Sequence, residues 1–432
     1  RIHEIYNSDT VDEALNCLEF KIVRCLNIVA PLRQVTTKEH YAKWLTMEHR
    51  EKIQRRNAMR KKAETSRLKA DWLVHRNYQR MLSKELREAR MADFKADMDV
   101  KDAKQRWKSV KKNAGMSTKQ DDSTIELEEN GELVSDPKIV AKTLNEYFKT
   151  KVVDLRKNLD VSVDKSLSYT DEYLAGRNVE NFDFHQVSRP FVKGVIKSLK
   201  NTGATGRDGI STLVLKKFKH VLTGPITYIV NKSIHSGIYP SAWKRGIITP
   251  LPKGGSRKEK KNWRPIVINT ALSKVLETVL NRQISAHMES SGLYSKTQHA
   301  YRKVRSVTTA LIELDTIVKD QLNQGRTVCI LTTDISAGFN LVSKEILVPK
   351  MSRFGFGSQS CDLLRNYLSG RSTQTKIKNL ISPETFLDTG VGEGSVLGPN
   401  FFPRGTTDGS VVRARAQKKL KEVYNIDAFS TQ

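Results

Sequence analysis

A single carboxylate, Asp334, closes the apolar, β-branched run "RTVCILTTDI" and is followed by small residues and an aromatic in "LTTDISAGFN", residues 331–340. An acid at the C-terminal end of a buried strand is rigidly held and can ligate a hard cation. The same residue, just before Ser336, can instead cap a helix. Two cations, Lys253 and Arg264, flank the basic loop "GGSRKEKK". A guanidinium grips phosphate oxygens with a planar fork and a lysine acts as a point charge, yet both are also ordinary solvated residues beside a turn. Further on, "GVGEGSVLGP" carries Gly392, Gly394 and Gly398. Such glycines permit close approach of backbone to a ligand, or simply a tight turn before a helix.

These residues need elements to hold them. "GIITPLPK" and "NWRPIVIN" read as two strands on either side of the basic loop. "TALSKVLETVLNRQISAHM" repeats Leu272, Val275, Leu276, Val279, Leu280 and Ile284 at helical spacing. "VTTALIELDTIVKDQLNQG" is a second amphipathic helix, closed by Gly325, and it leads into the strand that ends at Asp334. Upstream, "NFDFHQVS" fits a short strand, and Ser188 with Pro190 opens a helix carrying Val192, Val195, Ile196 and Leu199. Asn130-Gly131 between short β-type runs predicts a hairpin, and Asp136 before Pro137 predicts a helix start carrying Val140, Leu144, Tyr147 and Phe148.

From Leu32 to Ala114 there is neither Gly nor Pro, which predicts one or more long helices. Their apolar stripe is thin, as in Leu68 with Trp72, Leu82 with Leu86 and Phe94 with Met98. Residues 41–112 hold 22 Lys or Arg against 10 Asp or Glu. Such a face is either a solvated surface or an arm that lies along phosphates. Over the whole chain of 432 residues the formal charge is +27, which favours polyanionic partners, nucleic acid first. No apolar run reaches the roughly 18 residues of a spanning helix. The four cysteines lack zinc-finger or Cys-x-x-Cys spacing, so a reduced intracellular protein with buried thiols is expected, in nucleus or cytoplasm and not secreted. The expected organisation is a basic helical arm over 1–115, a connector with hairpin and helix over 116–180, and a mixed α and β unit over 181–432.

Six stretches in the second half occur in an order that resembles the reverse transcriptase of non-long-terminal-repeat (LINE-like) retrotransposons. They are "LKNTGATGRDGIS", "TPLPK", "NWRPIVINTALSKVLE", "QHAYRKVRSVTTAL", "LTTDISAGFNLV" and "GVGEGSVLGPNFF". The resemblance implies an α+β fold: polymerase fingers and a partial palm, an incomplete antiparallel sheet with packed helices, preceded by the basic helical region. It implies template-directed nucleotidyl transfer, an in-line displacement at phosphorus catalysed by positioning and charge stabilisation. Two Mg²⁺ ions roughly 4 Å apart are the usual means. By this likeness Asp334 is catalytic and a metal ligand, helped by the carbonyl of Ile335. Phe339 matches the aromatic that excludes the ribose 2′-hydroxyl, and Lys253 and Arg264 match the cations that hold the incoming triphosphate. Glu393 and Gly394 lie in the loop expected beneath the templating base and incoming nucleotide, with Glu393 where many relatives carry Gln. Lys258, Lys260 and Lys261 read as a general phosphate-attracting surface. RNA template, DNA primer and deoxynucleoside triphosphates are the implied partners, with a ribonucleoprotein on the element's RNA and no membrane.

The chain also departs from that pattern. The family's aromatic-x-Asp-Asp element is not found after the glycine-rich loop; the only adjacent aspartates are Asp121-Asp122, far upstream, and "VYNIDAFSTQ" closes the sequence. Gly338 and Asn340 replace the common Ala and Asp, and Pro403-Arg404 falls where a helix should continue. The expectation is a chain truncated before the Asp-Asp motif, with the thumb absent, and inactive as it stands. The alternative is a non-catalytic nucleic-acid-binding retroelement remnant.

Overall fold

The computed structural model describes residues 3–31, 44–99, 103–113, 125–129, 131–157, 162–330, 332 and 337–405. The chain divides into two compact units, Leu32–Thr124 and a larger one combining Arg1–Pro31 with Ile125–Gln432.

The larger unit begins with α1 (His3–Tyr6) and α2 (Val11–Val29). Thr10 and Glu13 form a reciprocal cap: Thr10 Oγ1 accepts from Glu13 N at 3.1 Å, and Glu13 Oε2 accepts from Thr10 N at 3.3 Å. Leu15, Leu18 and Ile22 are spaced along one face of α2, and all three enter the main core with Ile226, Leu272 and Phe401. The sequence pattern grouped these residues with the basic arm; their apolar face packs in the larger unit instead.

The smaller unit is helical, with α3 (Met47–Ser66), α4 (Lys69–Met98) and α5 (Ala103–Asn113). Arg67, in left-handed conformation at φ 55°, turns the chain between α3 and α4. Ala63 and Leu82 are buried while Leu68 is exposed, so the thin stripe gives a small core. Charged contacts add to it, with Lys52 within 2.7 Å of Glu48 and 2.6 Å of Glu85.

Back in the larger unit, β1 (Leu127–Glu129) and β2 (Glu132–Val134) form the expected hairpin, with Gly131 at φ 85°. Next comes α6 (Pro137–Lys157), whose start is marked by Asp136 Oδ1 accepting from Lys138 N at 2.8 Å. Val140, Ala141, Leu144 and Phe148 of α6 pack against Ile248, Trp263 and Val267 in a second core cluster. Four helices follow: α7 (Val163–Leu174), α8 (Arg189–Ser198), α9 (Thr212–Lys217) and α10 (Lys219–Ser236). The hairpin β3 (Arg245–Pro252) and β4 (Trp263–Ile268) then leads to α11 (Ala271–Ser290). All six apolar residues of the α11 repeat are buried, each contributing roughly 1.5–3 kcal/mol of transfer free energy.

The chain continues through α12 (Val307–Asn323), α13 (Lys344–Arg353) and α14 (Ser358–Leu368) to β5 (Arg371–Ile377), β6 (Leu380–Ile381), β7 (Thr385–Leu387) and α15 (Gly398–Gly405). The main sheet has the order β4-β3-β5-β6, with β7 paired to β5.

Several expectations are corrected. The fold is α+β, but the sheet is mixed and not purely antiparallel, because β3 and β5 pair in parallel. The long helical connection between them is the crossover that a parallel pair requires. Residues 326–330, expected as strand, are irregular and Ile330 is 55% exposed; β-branched residues favour strands only where a partner and a buried face exist. "NFDFHQVS" makes only an isolated bridge, Phe182 to Phe356. α12 forms as expected but buries none of its residues, and polar contacts tie it down, His299 lying 2.7 Å from Glu313. α15 runs through Pro403 to Gly405, so the helix continues where a break was expected. Of the four thiols, Cys361 is buried and Cys17 half-buried, whereas Cys25 and Cys329 are exposed. Among the described residues no helix is long and apolar enough to cross a membrane.

Candidate functional site

Among the described strands β4 pairs with β3 alone, so its other edge can take a further backbone segment. The glycine-rich loop takes that edge: Val267 N donates to the carbonyl of Glu393 at 2.8 Å. The contact is close enough to demand glycine. Gly394 sits at φ 116°, and a Cβ there would meet Val267 O at 2.7 Å; a Cβ on Gly392 would lie 2.9 Å from the Val267 side chain.

Beyond the loop, Ser395 Oγ accepts from Gly398 N at 3.1 Å and opens α15. Glu277 of α11, fully buried, accepts from Val396 N at 2.7 Å and from the Tyr239 hydroxyl at 3.2 Å. Burial pushes its carboxyl up, and the buried Arg371 guanidinium opposes that rise. The Glu277 carboxylate therefore fixes where the loop ends.

Phe339 stands on the loop's other flank, in a single 3₁₀ turn over Gly338–Leu341. Its carbonyl accepts from Val391 N at 2.9 Å, and the carbonyl of Val342 accepts from Gly390 N at 2.8 Å. A Cβ on Gly398 would come within 3.2 Å of the Phe339 ring, so loop and aromatic occupy one packed layer.

Arg264 pairs with Leu251 across the β3–β4 hairpin, and Lys253 N donates to Asn262 O at 2.7 Å at its mouth. The Arg264 side chain projects to solvent while that of Lys253 is half-buried. Both cations act on the half-buried Glu393 carboxylate, which burial raises and which Lys253, Arg264 and Lys151 pull down. Lys260 and Lys261, read as part of a general phosphate-attracting surface, pair with Glu129 and Glu259, each at 2.6 Å.

The structure thus brings together Lys253, Arg264, Glu393 and Gly394, with Phe339 bonded to the same loop. Asp334 and Ile335 lie outside the described residues. Among the described residues no group of three or more His, Cys, Asp or Glu side chains gathers to hold a metal ion. Two participants were missed in the sequence. Lys151 belongs to α6, far upstream, and no local pattern marks it. Glu277 ends the stretch "NWRPIVINTALSKVLE", and the signal that could have found it is a carboxylate on the apolar face of a helix, which needs a buried partner.

Three cations around one half-buried carboxylate, beside backbone that only glycine can form, suit an anionic ligand lying against the loop. Residues 251–410 match the family model described as reverse transcriptase (RNA-dependent DNA polymerase). The chain is 29% identical over 212 residues to a probable RNA-directed DNA polymerase from transposon X-element of Drosophila melanogaster, covering 49% of this chain and 23% of that protein. It is 23% identical over 220 residues to a retrovirus-related Pol polyprotein from type-1 retrotransposable element R2 of Popillia japonica, covering 51% and 30%. It is also 23% identical over 218 residues to the RNA-directed DNA polymerase from mobile element jockey of Drosophila funebris, covering 50% and 24%. The chain spans less than a third of each of these relatives. Residues 251–410 thus match the reverse transcriptase (RNA-dependent DNA polymerase) family model, and the relatives they resemble are polymerases and Pol polyproteins of non-long-terminal-repeat retrotransposons.

Proposed function

We propose that this chain carries the RNA-directed DNA polymerase activity of a retrotransposon, joining deoxynucleotides to a primer on an RNA template. The observation that carries the reading is the union of Lys253, Arg264 and the glycine-rich loop at the free edge of β4, inside the family-matched segment. In this reading β3, β4 and their helices serve as fingers, and the layer around Phe339 serves as palm. Arg264 takes triphosphate oxygens with its fork and Lys253 adds a point charge. The loop at Glu393 and Gly394 lies against the base pair being formed, and Phe339 blocks the side where a ribose 2′-hydroxyl would sit.

A divalent metal, Mg²⁺ in this proposal, would stabilise charge on the transferring phosphoryl group when bound. The residues assigned to it, Asp334 and the Ile335 carbonyl, lie outside the described ones, whereas the nucleotide-binding side chains lie within them. A ribonucleoprotein with the element's RNA, in nucleus or cytoplasm, is part of the same proposal.

The second reading, a nucleic-acid-binding remnant, is favoured by the basic excess in residues 41–112. Primer extension on an RNA template with Mg²⁺ separates the two. Synthesis lost in Asp334→Ala supports the polymerase, whereas salt-sensitive RNA binding with no synthesis supports the remnant.

A further inference from the structure

We propose that Lys151 is a third phosphate-binding cation of this site, reaching the incoming triphosphate from α6 beside Lys253 and Arg264. The proposal rests on the polymerase reading.

Helix α6 is locked to the sheet before it reaches the site. The Asn145 amide donates to Thr385 Oγ1 at 2.7 Å and to Pro383 O at 3.2 Å, and its oxygen accepts from Thr375 Oγ1 at 3.0 Å. One turn on, Phe148 is buried with Trp263, which precedes Arg264 in β4, and with Val267, which receives the loop. Lys151 follows at the next step of the same face, three residues later.

Its surroundings have the character of an anion site. Lys151 is half-buried, and both burial and the nearby Lys253 ammonium push its pKa down, with Glu393 as the opposing charge. Neither Lys151 nor Arg264 has an ion-pair partner among the described residues. The single carboxylate of Glu393 leaves an excess of two positive charges. This stretch of α6 lies beside the glycine-rich loop: Lys149, Val152 and Arg156 line a small cavity with Val267, Gly390 and Gly392, next to Lys151 rather than around it. Gathering like charges around one acid is unfavourable unless a further anion completes the set, and a triphosphate supplies it.

The test is titration of the full chain, with a primed RNA template and Mg²⁺, using dTTP and, as a control lacking the β- and γ-phosphates, dTMP. Lys151→Gln is expected to weaken dTTP binding about tenfold and leave dTMP unchanged, with Lys151→Arg restoring most of the affinity. Arg264→Gln calibrates the site. Weakened dTTP binding in Arg264→Gln with none in Lys151→Gln overturns this inference and leaves the polymerase reading standing. Equal weakening of dTTP and dTMP in Lys151→Gln, unrelieved in Lys151→Arg, also overturns it by showing a merely structural role. Failure of the wild-type chain to bind dTTP overturns the polymerase reading and this inference with it.

Discussion

Glu277 accepts a hydrogen bond from the backbone N–H of Val396 at 2.7 Å, across 119 positions of sequence. The same carboxylate accepts from the Tyr239 hydroxyl and faces the buried Arg371 guanidinium, which donates to Tyr367 O at 3.1 Å. Removing one member of a buried charged set leaves the others uncompensated. Glu277→Ala should therefore cost roughly 3–5 kcal/mol, and Glu277→Gln, which keeps the shape and one acceptor, should cost less. Denaturant titration checks the order; equal loss in both variants would show that the charge is immaterial.

Val267 limits two glycines in different ways, which a double-mutant comparison can separate. A Cβ on Gly246 would meet Val267 Cγ1 at 2.5 Å, an obstacle made of side chain. A Cβ on Gly394 would meet Val267 O at 2.7 Å, an obstacle made of backbone, at φ 116°. Val267→Ala should relieve Gly246→Ala and give no relief to Gly394→Ala, whose own cost should be about 1–3 kcal/mol. Stabilities of the singles and the two doubles are the measurement.

How far the sequence reveals this arrangement depends on the range of the contacts. The α11 repeat was legible because six residues from Leu272 to Ile284 meet the core at helical spacing, and all six are buried. The β3–β4 hairpin was legible because its two runs are neighbours in sequence, and they pair from Ile247 with Ile268 to Pro252 with Trp263. β5 was not, since "RSTQTKI" is polar in composition and its partner β3 lies more than a hundred residues back. Lys151 stayed hidden for the same reason, because a lysine on a helix reads as solvated until the strand it faces is known. For Asp334 the strand end allowed either a metal ligand or a helix cap, and family likeness chose the ligand; the role of Ile335 came from that likeness alone.

Glu19 and Asp208 make folding sensitive to pH. Burial raises the Glu19 carboxyl to about 7, with Asp208, itself raised to about 6, adding repulsion; the Trp243 indole N–H pulls the other way at 3.3 Å. A carboxyl that holds its proton more tightly when folded costs nothing below its unfolded value of 4.5, and its penalty grows as pH rises through about 7. Glu19→Gln should therefore match the wild type near pH 4 and exceed it at pH 8 by roughly 2 kcal/mol, discounted for partial exposure. Denaturation midpoints at both pH values test this, and a difference independent of pH would refute the assignment.

Asn145 links the stability of the sheet to the position of α6. Asn145 is 3% exposed, and its side chain answers polar groups on β5, on β7 and on the segment just before β7: the carbonyls of Thr373 and Pro383 and the hydroxyls of Thr375 and Thr385. Thr375 is itself fully buried, so Asn145→Ala leaves its hydroxyl without the Asn145 oxygen in a place water reaches poorly. The expected loss is about 2–3 kcal/mol. Replacing Thr375 by Val as well should recover part of it, because the orphaned hydroxyl is then gone. Hydrogen exchange gives the sharper readout. If Asn145 anchors the helix, amides of α6 from Leu144 to Val152 should lose protection in Asn145→Ala while those of α11 keep theirs, and uniform loss across both helices would place the anchor elsewhere.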